Sequence, residues 1–183
     1  MHHACWAPAL PVAGQIATEY GVQAYALADD ELIARVVEHV VEEHIVGWFQ
    51  GRAEVGQRAL GARSILGNMR RCSNLPRINM LKGREIWRPL APSVLEEYAS
   101  DLFNPAPPLL SDFMLAACAV RPDVQRLLPA VVHVDGSARP QLVSQATHPR
   151  YRQLLNAFRA ATGVPGGRSI GDILPQRTGC PCP

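Results

Sequence analysis

No apolar run in the 183 residues approaches the roughly 20 that a bilayer-spanning helix needs. The start, with His2 and His3, has no positive region leading into an uninterrupted apolar segment, so it does not resemble a secretory leader. The expected location is the cytoplasm. The cysteines are five, odd in number and scattered (Cys5, Cys72, Cys118, Cys180 and Cys182), which argues against a disulfide framework. Cys180-Pro181-Cys182 offers only two thiolates, too few to satisfy a zinc ion. Signature loops are also missing. No Gly-Lys-Ser/Thr phosphate loop or dinucleotide Gly-x-Gly-x-x-Gly fingerprint occurs. Zinc-finger, RNP and KH patterns are absent as well. Lysine occurs once, at Lys82, against 17 arginines.

What is present is enough apolar residue, 48%, for a real core, and a length that suits one ordinary domain. The net charge of +2 conceals an asymmetry. Nine of the 18 basic residues lie between Arg52 and Arg88, opposed only by Glu54 and Glu85, so this stretch carries +7 and the remainder −5. Charge concentrated in this way predicts an anionic partner for the middle of the chain.

Residues 1–28, rich in Ala and Pro, read as a loose lead-in. Periodicity predicts a helix over 31–43, with Asp29 and Asp30 as N-caps and Glu42 and Glu43 facing solvent. The run at 45–49 reads as a buried strand, Ser64-Ile65-Leu66 as the start of another, and 74–83 as a short helix. Trp87 to Leu90 is expected to be extended, with Trp87 in the core. Ser93 and Glu96 form a capping-box pattern for a helix over 94–103. Residues 113–120 read as a strand, and 131–143 as a hairpin about Asp135-Gly136 with Pro140 at an edge or bulge. Pro149 opens a last helix with Tyr151, Leu154, Leu155 and Phe158 on its buried face, ended by Gly163. Together these predict an α/β domain with an α+β tendency. No convincing strand follows Pro165, and 166–183 is expected to be a patternless, disordered tail.

Three polar segments carry the chemistry. Residues 51–64 place Arg52, Arg58 and Arg63 among three glycines directly after a strand. Glycine exposes backbone N–H groups to an anion, and guanidinium forks match phosphate or carboxylate oxygens in pairs. Glu54, between Arg52 and Arg58, is expected to orient a guanidinium. Residues 82–89 repeat the recipe around Lys82, Arg84, Glu85 and Arg88, with Lys82 a point charge suited to developing phosphate charge. In the third segment His133, Asp135, Ser137, Arg139 and Gln141 alternate along the expected hairpin and share one face. No metal site is expected: His133 and Asp135 are too few, and His39 and His44, five apart on a helix, point about 140° apart. Nucleic-acid binding is the second reading, weakened because the basic residues sit in glycine turns rather than along one helix. Docking of a partner through the positive face is the third.

These segments, in this order, resemble the C-terminal region of the NodU/CmcH-type carbamoyltransferases, which make O-carbamoylated natural products and nodulation factors. The resemblance runs from about residue 29 to Pro165 and is carried by Gly-Arg-x-Glu-x-Gly-x-Arg-Ala-Leu-Gly-x-Arg-Ser-Ile at 51–65, Lys-x-Arg-Glu-x-x-Arg-Pro-x-Ala-Pro-Ser-Val at 82–94 and His-Val-Asp-Gly-x-Ala-Arg-x-Gln at 133–141. It implies a YrdC-like twisted sheet with flanking helices, incomplete at its C-terminus. It also implies binding of carbamoyl phosphate and ATP, the latter as co-substrate, and formation of carbamoyl adenylate. A Kae1-like domain holding an iron ion, here expected as a separately encoded partner, would pass the carbamoyl group to a hydroxyl acceptor. Lys82 and His133 then take catalytic roles. Arg52, Arg58, Arg63, Arg84, Arg88 and Arg139 bind substrate and nucleotide, and Glu54, Glu85 and Asp135 orient them. Gln57 stands where the family has proline and Leu90 where it has phenylalanine. Residues 166–183 match nothing of the family's continuation, so the isolated chain is expected to be inactive.

Overall fold

A computed structural model describes residues 13–56, 58–162 and, for the backbone alone, 170–172. The expectations for residues 1–12, Gln57, Gly163 and the Cys-Pro-Cys motif lie outside the described residues. The chain runs α1 (Ala13–Tyr20), α2 (Asp29–Val41), β1 (Val46–Phe49), β2 (Arg63–Asn68), α3 (Asn74–Leu81) and β3 (Ala91–Leu95). It continues through α4 (Ala99–Leu102), β4 (Cys118–Ala119), β5 (Ser137–Ala138), β6 (Gln141–Val143), α5 (Pro149–Thr162) and β7 (Ile170–Asp172). Five strands form an open, twisted sheet in the order β1-β2-β7-β3-β6, in which only β3 and β6 run parallel as neighbours. β4 and β5 make a separate antiparallel pair. This mixed α/β architecture, an open sheet with flanking helices, is consistent with a YrdC-like domain.

Strand alternation sorts the core into two layers. From β2, β3 and β6, Leu66, Leu95 and Val143 join Trp48 of β1 in packing on Ile33, Val36, Val37 and Val40 of α2 and on Tyr151, Leu154, Leu155 and Phe158 of α5. Their strand neighbours Ile65, Val94 and Leu142 face the other way, toward Ile78 of α3, Leu102 and Phe103, and the loop residues Leu128 and Val131. β3 is buried at all five positions. Both helices therefore bury the apolar stripes their 3.6-residue periodicity specifies, and the site segments are left at the ends of strands.

Several expectations are corrected. α1 forms inside the expected lead-in, with Tyr20 69% exposed. The N-cap of α2 is Ala28, and Asp29 and Asp30 fall in the first turn, where they still suit the dipole. The capping box does not start a helix: Ser93 is buried within β3, whose place between β7 and β6 overrides the local signal, and helix begins only at Glu96 in a 3₁₀ turn. Residues 109–113 are a 3₁₀ turn, and only 118–119 of the expected 113–120 strand form. The 131–143 segment is not a hairpin. Its turn exists, with Gly136 N–H donating to the His133 carbonyl at 3.0 Å and Gly136 at φ 78°, but β5 pairs with β4 and β6 with β3. A strand does follow Pro165, because β7 fills the gap between β2 and β3, while the rest of the expected tail lies outside the described residues. Residues 86–88 form a turn rather than an extended segment, and Trp87 is 71% exposed rather than in the core. Among the described residues, Cys72 and Cys118 are free thiols and no helix is long and apolar enough to cross a membrane.

Candidate functional site: cationic side chains on two anchored loops

The first loop connects β1 to β2 and is held from below by a buried carboxylate. Glu54, 2% exposed, accepts the backbone N–H groups of Leu60 at 2.6 Å, Ala62 at 2.8 Å and Arg63 at 3.3 Å through one oxygen. Its other oxygen is buried with no partner among the described residues. Glu54 thus orients the backbone amides of its own loop. Trp48 Nε1 donates to the Gly61 carbonyl at 3.0 Å, Ser64 Oγ accepts Gly61 N–H at 3.1 Å, and Gln141 Nε2 donates to the Leu60 carbonyl at 2.8 Å. Gln141 also accepts from Ser93 Oγ at 3.1 Å, and Ser93 accepts from Tyr151 Oη at 2.9 Å. α5, β3 and β6 therefore position a loop distant in sequence, through a buried polar chain in which every donor has an acceptor.

The second loop follows α3 and is organised by Asn79, a fully buried residue that the sequence did not single out. Asn79 Nδ2 donates to the carbonyls of Ile86 at 2.9 Å and Arg88 at 2.8 Å, and Asn79 Oδ1 accepts Arg84 Nε at 2.5 Å. One amide closes the loop and aims Arg84 at once. The detectable signal was an asparagine on the last turn of a helix entering a Gly-Arg segment, where side-chain amides bond nearby backbone. Arg88 pairs with Glu85 at 2.7 Å, so the orienting role foreseen for Glu85 has a geometric basis. Lys82 is half-buried at the C-cap of α3, and its Nζ is shielded from solvent.

In the third segment His133 Nδ1 lies 3.0 Å from Ser137 Oγ, and Asp135 accepts Ser137 N–H at 2.9 Å. Asp135 is exposed and closes the turn, and its hydrogen bonds from Ser137 hold its carboxyl below the usual range.

Electrostatics ties these segments together. Burial, then the charge of Arg58, lowers the pKa of Arg139. Burial, then Arg88 and Arg139, lowers that of Arg84, with Glu85 opposing. Burial lowers the pKa of His133, Asp135 opposes, and Arg139 lowers it further. The charge of Arg139 thus acts on Arg84 and His133, and that of Arg58 on Arg139, although these residues come from three separated segments. The Nε groups of Arg58, Arg63 and Arg139 are shielded from solvent without an acceptor among the described residues. Like charges held together, partly desolvated and short of acceptors, destabilise the empty protein and favour a bound anion. Arg52 lies elsewhere, along a cleft of about 340 Å³ with Gln50, His148 and Arg150, whose lining contains none of those residues.

The direction of the His133 shift gives a testable pH dependence. Its folded pKa lies below the ordinary 6.5, so as pH falls the unfolded chain takes up the proton first. The contribution of neutral His133 to stability is complete above about 6.5 and declines as pH drops through the folded value. The urea midpoint should therefore fall between pH about 6.5 and about 5.5, and His133→Asn should flatten that decline. Carboxylates held low by ion pairs, such as Glu97 beside Arg152, act in the same direction at lower pH.

The fold is an α/β domain whose loops carry a set of electrostatically interacting cationic side chains. The profile of the carbamoyltransferase C-terminus family matches residues 37–166, and the chain belongs to that family. It is 46% identical over 138 residues to nodulation protein NolNO of Sinorhizobium fredii, covering 74% of this chain and 20% of that protein. It is 40% identical over 167 residues to nodulation protein NolO of Bradyrhizobium diazoefficiens, covering 87% of this chain and 30% of that one. Nodulation protein U of Rhizobium tropici is 42% identical over 120 residues, which cover 66% of this chain and 20% of that protein. The chain spans a fifth to a third of the length of these relatives.

Proposed function

We propose that this domain binds the phosphate-bearing substrates of an O-carbamoyltransferase, carbamoyl phosphate and ATP, and supports formation of carbamoyl adenylate. The observation that carries this reading is that half-buried Arg139 acts electrostatically on Arg84 and His133 and is itself acted on by Arg58, which links three separated segments. Carbamoyl phosphate, ATP and one water give carbamoyl adenylate, phosphate and pyrophosphate, so every species in the step except the water is an anion. The guanidinium forks take phosphate oxygens in pairs and offset the mutual repulsion of two polyanions. Lys82 stabilises charge that grows on the transferring phosphoryl oxygens. His133, held neutral by burial and steadied at Nδ1 by Ser137, can donate or accept a proton at Nε2. Arg52 extends the cationic surface toward Pro149 and Arg150 at the start of α5. Transfer to a hydroxyl acceptor belongs, on this reading, to a Kae1-like partner domain, and the family's iron belongs there too.

Isothermal titration calorimetry tests the proposal. ATP and carbamoyl phosphate should each bind saturably to one site per chain. Lys82→Ala should weaken binding about tenfold or more, the loss of one charge-assisted contact of roughly 1.5–3 kcal/mol, while leaving the melting temperature within a few degrees. Unchanged affinity in the folded variant would remove Lys82 from the site. Tight, steeply salt-dependent binding of single-stranded DNA with no saturable ATP binding would favour the nucleic-acid reading instead.

A further inference from the structure

Outside the cationic loops, a second cluster of side chains has ligand chemistry. We propose that His39, Glu42 and His44 form a binding site for a divalent transition-metal ion, with Zn2+ the natural occupant, at the junction of α2 and β1. Their ligand atoms all lie within 4.8 Å of one another. The two imidazole rings meet edge to face with centroids 5.3 Å apart, and His44 Nδ1 lies 3.6 Å from Glu42 Oε2. Around a tetrahedral zinc, with ligands at about 2.0–2.2 Å, donor atoms stand about 3.4 Å apart. Small side-chain rotations close the difference, because all three residues are exposed.

The separation of about 140° between His39 and His44 held only for a continuous helix. Instead α2 ends at Val41 and reverses in a Schellman turn: His44 N–H donates to the His39 carbonyl at 2.9 Å, and Glu43 N–H to the Val40 carbonyl at 3.2 Å. That turn brings the residues at its C3 and C″ positions together, usually as an apolar contact. Here both positions are histidine, and the carboxylate of Glu42 stands between them at the C-cap. The C′ residue, which must adopt positive φ and is commonly glycine, is Glu43 at φ 69°. It is held there by Arg71, whose Nε lies 2.6 Å from its carboxylate, and by Arg77, which donates to its carbonyl at 2.9 Å. The backbone carrying the three ligands is thus fixed by contacts that involve none of their side chains, so binding orders little. Two imidazoles and one carboxylate suit zinc, and water completes the coordination.

The test uses the full chain, stripped of metal with a chelator and titrated with Zn2+ against a chromophoric competitor. The histidines and cysteines near the termini provide a background that variants share. The His39→Gln/His44→Gln double variant should take up one zinc equivalent fewer than the parent, and His44→Gln or Glu42→Gln alone should weaken that equivalent about tenfold or more. In the parent, Co2+ should give visible d–d absorption that the double variant loses. Should the double variant not fold, the single variants decide. Retention of the parent's stoichiometry and affinity by the double variant, or by both single variants, would overturn the site.

Discussion

Replacing Arg139 by methionine should weaken ATP binding about 30-fold or more and, at the same time, raise the melting temperature. Burial and the neighbouring charge of Arg58 both disfavour the Arg139 cation, and Arg139 in turn acts against Arg84 and His133. Its Nε lacks an acceptor among the described residues. Methionine fills similar volume without the charge, and replacing a poorly compensated buried ion by an apolar side chain is often stabilising. We expect a gain of about 1 kcal/mol, a rise of a few degrees for a chain of this size. Affinity for ATP and carbamoyl phosphate should fall by about 30-fold or more, since a charge-assisted contact contributes roughly 1.5–3 kcal/mol. Calorimetry and a thermal melt on one preparation check both effects. A less stable Arg139→Met protein that binds normally would show that Arg139 serves the fold alone.

Gly61→Ala should be the most damaging small substitution in the first loop. Gly61 sits at φ 96°, and an added Cβ would stand 2.5 Å from Cδ1 of Tyr151. The ring cannot withdraw cheaply, because Tyr151 is fully buried and its hydroxyl donates to Ser93. Backbone strain and overpacking together should cost about 3 kcal/mol, or a fall of about 10 °C in melting temperature. Gly51→Ala is the control: φ is 61° and the space for a Cβ is open, so only the conformational part, about 1 kcal/mol, is expected. Equal melting temperatures for the two variants would contradict the packing of the loop on α5.

Elements with strong local periodicity were legible in the sequence. α2 and α5 bury the stripes their apolar spacing marked, and β1 feeds the glycine loop as the run at 45–49 implied. Where a local signal met a tertiary demand, the tertiary demand won. Ser93 and Glu96 spell a helix start, yet Ser93 is needed inside a central strand to join Tyr151 to Gln141. The three charged loops were legible because arginine and glycine are conspicuous, whereas the residues that hold those loops were not. Asn79 and Tyr151 act on backbone and on a glycine across gaps that no short pattern spans. Glu54 was noticed as an orienting residue, but its backbone partners were not legible: three amide groups converge on it only once the loop has closed. The proposed convergence rests on tertiary proximity that no local pattern encodes: Arg139 acts on Arg84 and His133, and Arg58 on Arg139.

That convergence is most directly tested by backbone and arginine side-chain NMR during a titration with ATP. The account predicts that perturbations saturate together, with one dissociation constant, at residues 58–61, 82–88 and 133–139, and that the Nε resonances of Arg58 and Arg139 move most. Perturbations confined to one of these segments, or saturating separately in each, would contradict a single shared recess.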